Sequence, residues 1–96
     1  MKRPIKYNCI FVYGEDGISV TFPACRGCVT CGKSDKQTKL MAEDALRIWC
    51  SIALDNGNLL PPDLSFLELN KWIKDHKKFW GKNKWTIKTI RTTVED

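Results

Sequence analysis

Cys25, Cys28 and Cys31 form a C-x2-C-x2-C run, and in a chain of 96 residues it is the spacing that most invites metal chemistry. Zinc takes four ligands, and a closed structural site pairs two ligand turns. The only histidine, His76, lies far along the chain, and there is no second C-x2-C. An iron–sulfur cluster would lack its fourth nearby cysteine. The expectation is therefore no metal and no cofactor. The five cysteines, with Cys9 and Cys50 completing the set, read as reduced, small hydrophobes around a turn and in the core. Their odd number and the lack of a secretory leader pattern place the chain in a reducing, cytoplasmic compartment. His76 sits among apolar neighbours and reads as a packed or hydrogen-bonded side chain. No Ser-His-Asp pattern can be built around it, although a Cys-His pair is open on sequence alone. Gly14 and Gly17 flank a hairpin turn rather than a strand-to-helix phosphate loop. Binding, not catalysis, is the expected activity.

The second chemical signal is charge. The formal net charge is +5, yet from Met1 to Asn70 eight basic and eight acidic side chains cancel. The whole excess lies in the last 26 residues, where eight basic side chains face three acidic ones. Lys71, Lys74, Lys77 and Lys78 fall on one side of an amphipathic pattern, and Lys82 and Lys84 follow it. A local basic face of this kind suits an acidic partner, protein or nucleic acid. Trp80 or Trp85 could stack bases. A membrane span is not expected, because no apolar run approaches the ~20 residues one needs, and binding of this face to a membrane surface is expected less than binding to protein or nucleic acid.

The elements that must hold these residues are legible from periodicity. Residues 5–13 alternate as a strand, with Ile5, Tyr7, Cys9, Phe11 and Tyr13 on its strong face. Asp16-Gly17 turns the chain into a second strand through Ile18, Val20 and Phe22, which Pro23 ends. Residues 28–31 read as a short third strand. Ser34 and Gln37 open a long helix that stops near Gly57. At 100° per residue, Met41, Ala42, Ala45, Ile48, Trp49, Ile52 and Ala53 share an arc expected to face the sheet. Leu40, Arg47 and Leu54 fall on the opposite side at heptad spacing, as scattered exposed residues or a second contact stripe. Ser65 and Glu68 cap a further helix over residues 65–80, with Phe66, Leu69, Trp72, Ile73, His76, Phe79 and Trp80 on its apolar face. Residues 85–94, β-branched and Thr-rich, form the last strand. The expected architecture is α+β: a single domain over residues 1–96, with an antiparallel sheet of three or four strands packed on one long helix, in the order β-β-β-α-(α)-β. At least one sheet edge is left over, which favours a homodimer.

The stretch from Gly17 to Ala45 resembles the HicB antitoxin family. The residues that carry the resemblance are Asp16-Gly17, Phe22-Pro23, Gly27-Cys28-Val29-Thr30, Gly32, Ser34, Ala45-Leu46, Gly57 and Pro61-Pro62. The resemblance implies a partial ribonuclease H-like fold in which Phe22, Pro23, Gly27, Cys28 and Gly32 are structural. It also implies an antitoxin, usually oligomeric, that masks a small mRNA-cleaving toxin of the HicA type. Ribonuclease H chemistry itself is not expected, because residues 5–13 contain no Asp or Glu to bind catalytic metal ions. The sequence differs from the family pattern in three places. Lys33 and Gln37-Thr38 stand where acidic residues are usual, the helix over 65–80 looks inserted, and no C-terminal DNA-binding module is expected. Two other roles fit the same residues: an anti-defence protein of a phage or mobile element built on this scaffold, and a nucleic-acid-binding protein using the basic segment.

Overall fold

The computed structural model describes residues 1–95. It contains strands β1 (Lys2–Gly14), β2 (Gly17–Thr21) and β3 (Val29–Gly32), helices α1 (Asp35–Asp55) and α2 (Phe66–His76), a 3-10 turn over Lys77–Phe79, and strand β4 (Lys84–Glu95). The four strands form one antiparallel sheet in the order β3-β2-β1-β4. The expected order of elements is the observed one. The hairpin closes where Gly14 pairs with Gly17. Gly17 has φ +147°, and a Cβ there would stand 2.8 Å from the Gly32 carbonyl oxygen, so both conformation and space call for glycine.

Alternation along β1 divides the core into two layers. Tyr7, Cys9 and Phe11 pack with Ile18, Val20, Phe22, Cys25, Cys28 and Ile90 under α1. Ile10 and Val12 face the other way and pack with Leu69 and Ile73 of α2. The fold is thus helix–sheet–helix, and α2 covers the second face of the sheet that the periodicity of β1 had shown to be partly apolar.

Helix α1 rests on a narrower line than its hydrophobicity suggests. Its buried residues are Thr38, Ala42, Leu46 and Cys50, at strict four-residue spacing. Most of these are small, and small side chains let the helix axis come close to the sheet. The bulkier Met41, Ile48 and Ile52, expected to face inward, are exposed, Ile48 by 56% and Ile52 by 55%. Trp49 is half-buried at the rim of the core rather than inside it, and its indole N–H donates to the Arg26 carbonyl at 3.0 Å. Leu54, expected on the polar side, instead packs partly buried against the α1-side core.

Helix α2 begins with a full capping box. The Ser65 hydroxyl accepts from the Glu68 N–H, and the Glu68 carboxylate accepts from the Ser65 N–H. Its α-helical period ends at His76, and the 3-10 turn that follows changes the phase of the chain. As a result Phe79, expected on the docked face, is exposed, while Trp72 and Trp80 are half-buried against the α2-side core. Phe66, also expected there, is exposed in the first turn of α2.

Candidate functional site

The C-x2-C-x2-C run does not converge. Cys25 and Cys28 point into the α1-side core, and Cys31 on β3 is exposed. The loop between β2 and β3 is wound tightly by backbone hydrogen bonds, Cys25 N–H to the Phe22 carbonyl at 3.0 Å and Cys28 N–H to the Cys25 carbonyl at 2.9 Å. Gly27 turns that loop with φ +85°. Burial raises the buried thiols, Cys9 to about 12 and Cys28 to about 11, and pushes Cys25 and Cys50 up as well. Such thiols stay protonated at neutral pH and are poor nucleophiles and metal ligands. Among the described residues, no three Cys, His, Asp or Glu side chains gather in a geometry for a metal ion.

His76 lies with α2 on the other side of the sheet from Cys9, Cys25, Cys28 and Cys50. Its Nδ1–H donates to the Trp72 carbonyl at 2.7 Å, and its ring stacks on the Trp72 indole with centroids 3.9 Å apart. The packed, hydrogen-bonded reading of His76 is what the geometry contains.

The binding surfaces are on the outside of the two helices. Lys71, Lys74, Lys77, Lys78, Lys82 and Lys84 are all exposed. Leu67, Lys71 and Lys74 follow one another at four- and three-residue spacing on the outward side of α2, opposite Leu69 and Ile73. Leu67 on that side, Phe66 in the first turn of α2 and Phe79 in the 3-10 turn are each at least 75% exposed. The Lys78 ammonium lies 5.3 Å from the Phe79 ring centroid. The face is therefore mixed, apolar and basic, with Asp75 among the lysines. Sequence periodicity found the lysines but expected Phe66 and Phe79 to be covered; Phe66 shares the side of Ile73 yet is exposed in the first turn of α2.

A second surface is the stripe of Met41, Ile48 and Ile52 on α1, with exposed Leu40 beside it. Arg47, also exposed, is tied to Asp44 by an ion pair. Of the residues expected as a contact stripe, Leu40 and Arg47 are exposed and Leu54 is half-buried. The signal that could have revealed the exposed stripe is the line of Thr38, Ala42, Leu46 and Cys50 at four-residue spacing.

Phe22, Cys28 and Gly32 are buried, Pro23 is half-buried and Gly27 is exposed. Among the described residues, no helix is long and apolar enough to cross a membrane.

No protein-family model matches the sequence, and no curated protein matches it. Solved structures do. A chain of a toxin–antitoxin complex from Streptococcus pneumoniae superposes with a TM-score of 0.77 at 19% identity, over 94% of this chain and 69% of that one. A chain of a HicA3 and HicB3 toxin–antitoxin complex gives 0.64 at 19% identity, over 96% of this chain and all of that one. The N-terminal domain of the Burkholderia pseudomallei antitoxin HicB gives 0.57 at 17% identity, over 92% and 95%. With the same sheet and helices shared over more than nine-tenths of its length, this chain has the HicB-type fold.

Proposed function

We propose that the protein is a HicB-like antitoxin, which binds a small HicA-type toxin in the cytoplasm and masks the toxin's mRNA-cleaving surface. The observation that carries this reading is the fold itself, matched over 94% of the chain by a chain of a toxin–antitoxin complex. The geometry agrees with a binding role. Among the described residues, the buried thiols are held protonated, His76 is stacked on Trp72, and no three Cys, His, Asp or Glu side chains gather to hold a metal ion. The helices, by contrast, expose large apolar side chains, and apolar groups set among charged ones are the usual makings of a protein interface. We assign partner contact first to the outward face of α2, where Leu67 stands with Lys71 and Lys74, and to the turn after it, where Phe79 stands with Lys77 and Lys78. Lys82 and Lys84 extend that face.

Co-expression tests the proposal. A HicA-type toxin encoded beside this chain should arrest growth when expressed alone, and co-expression of this chain should restore growth. The two proteins should co-purify, and toxin cleavage of RNA in vitro should stop at equimolar complex. Failure of both rescue and co-purification would overturn the reading.

One observation favours a second reading. Six exposed lysines with exposed Phe79 and Trp85 nearby make a basic surface with aromatic platforms, which suits single-stranded nucleic acid. That reading requires binding of RNA by the isolated protein with steep salt dependence.

A further inference from the structure

Helix α2 covers only part of its side of the sheet, where Leu69 and Ile73 pack over Ile10 and Val12. Further along the same side, by alternation, the facing residues of β1 and β4 are Asn8 and Thr89, Lys6 and Arg91, Pro4 and Thr93, and Lys2 and Glu95. All of them are exposed except Asn8, which is half-buried. One of these rows sets two cations face to face. Lys6 stands directly opposite Arg91, and like charges in that position are destabilising.

Among the described residues, neither Lys6 nor Arg91 has a carboxylate partner. The rows on either side of them, Asn8 with Thr89 and Pro4 with Thr93, are uncharged, and the Thr89 hydroxyl donates to Asn8 Oδ1 at 2.7 Å. Asp63 reaches the neighbouring Asn8, but both its oxygens are taken: one accepts from the Asn8 N–H and the other from the Leu64 N–H, each at 2.9 Å. Glu95 lies two rows away, about 14 Å along the strand, and its carboxylate is 3.4 Å from the N-terminal ammonium.

The two cations border a hollow of about 510 Å³ lined by Pro4, Ile5, Lys6, Arg91, Thr92 and Thr93. That volume falls within the ~300–1,000 Å³ usual for small-ligand sites. The sheet ladder fixes the spacing of the pair, since facing residues hold their Cβ atoms about 4.5–5.5 Å apart. One compact anion can therefore be gripped from both strands. A guanidinium forks onto two oxygens of a phosphate, an ammonium adds a point charge, and the Thr93 hydroxyl in the next row is a further donor. Charge narrows the choice. A carboxylate or a phosphodiester brings one negative charge and leaves the row cationic. A phosphate monoester carries about −1.5 to −2 at neutral pH and matches both cations.

We propose that Lys6 and Arg91 form a binding site for a phosphate monoester, supplied by a free nucleotide or by the terminal phosphate of an RNA strand. It is separate from the lysines of α2, which lie on the outward side of that helix. Sodium phosphate should raise the melting temperature of the purified chain above its value in sodium chloride of equal ionic strength, because a ligand of the folded state stabilises it. Lys6→Gln with Arg91→Gln should abolish that rise, and Lys74→Gln with Lys78→Gln should keep it. Lys6→Glu turns the facing pair into opposite charges, so it should melt above wild type in chloride and gain nothing from phosphate. Should the double glutamine variant misfold, Lys6→Glu carries the same test. Calorimetric titration separates the sources. If the ligand is a strand end, a short RNA oligomer with a terminal phosphate should bind about tenfold tighter than its terminal-hydroxyl twin, or ~1.4 kcal/mol. If it is a free nucleotide, adenosine monophosphate should bind at least as tightly as either oligomer. No gain over chloride, an equal gain in the Lys6 and Arg91 variants, or equal binding of the two oligomers with none of the monophosphate would each overturn the proposal.

Discussion

Gly32, the last residue of β3, and Thr38, in the first turn of α1, meet backbone to backbone. A Cβ at position 32 would stand 2.8 Å from the Thr38 Cα and 2.9 Å from its nitrogen. Thr38 cannot retreat, because it is fully buried and its hydroxyl donates to the Ser34 carbonyl at 2.6 Å. This contact sets how closely α1 approaches the sheet, and it explains why the line that follows, Ala42, Leu46 and Cys50, is mostly small. Gly32→Ala should therefore destabilise the fold by about 1–3 kcal/mol, the usual range for overpacking. A shift of the denaturant midpoint with an unchanged slope would show it. A wild-type midpoint would mean that the strand and helix can separate at no cost.

The buried thiols predict a weakness at high pH. Cys9 is raised from 9.0 to about 12 and Cys28 to about 11, in both cases first by burial. A group whose folded pKa lies above its unfolded value contributes stability that is complete below the unfolded value and is lost as pH rises toward the folded one. Stability should be flat up to about pH 8.5, near the ordinary thiol pKa, and should fall steadily toward pH 11. Denaturant midpoints at pH 7.5, 9 and 10 check the slope. Ellman's reagent checks the cause: one thiol should react quickly in the native protein, Cys31→Ser should remove that phase, and all five should react on unfolding.

The order of elements along the chain, the hairpin turn and both helix starts were legible because each rests on local chemistry. Asp16-Gly17 fixes the hairpin, and Ser34 and Ser65 accept from Gln37 and Glu68 as a capping residue must. The face of α1 was not legible in the same way. Hydrophobicity puts Met41, Ile48 and Ile52 in its centre, but the sheet selects by size as well, and size favours Thr38, Ala42 and Cys50. Phe79 was misplaced for a different reason. The helical period that predicts its direction ends at His76, and no residue there marks the change to a 3-10 turn. The lysines of α2 were correctly placed outward because charge seldom buries. What they contact depends on a second molecule, which no periodicity encodes.

Trp49 holds the β2–β3 loop against α1 from the rim of the core. Its indole N–H donates to the Arg26 carbonyl, and its ring packs beside buried residues without being enclosed. Trp49→Phe should keep most of the packing and lose the hydrogen bond, at about 1 kcal/mol. Trp49→Ala should cost about 2–3 kcal/mol, below the ~3–5 kcal/mol typical of fully buried aromatics. Thermal or denaturant melts of the two variants separate the contributions. Equal losses in both would assign the whole effect to the hydrogen bond.

The final prediction sets the two exposed helix faces against each other. The outward side of α2 and the turn after it carry exposed lysines, one of them, Lys78, 5.3 Å from the centroid of the exposed Phe79 ring, and α1 carries the exposed apolar stripe of Met41, Ile48 and Ile52. Each charge pair across a wet interface contributes only about 1 kcal/mol at contact. Several acting together still accelerate association and select partners by sign. Lys74→Glu with Lys78→Glu replaces two positive charges by two negative ones at exposed positions. Thermal stability should stay within ~0.5 kcal/mol, as for surface changes away from special features. Toxin affinity should fall at least tenfold and rescue of growth should fail. Ile48→Ser with Ile52→Ser should leave both affinity and rescue near wild type. If the serine variant loses the toxin while the charge reversal keeps it, the toxin sits on α1, and the α2 lysines are a solvated cover over the second face of the sheet. If the charge reversal loses RNA binding and spares the toxin, the basic face belongs to nucleic acid and the two partners divide the molecule between its helices.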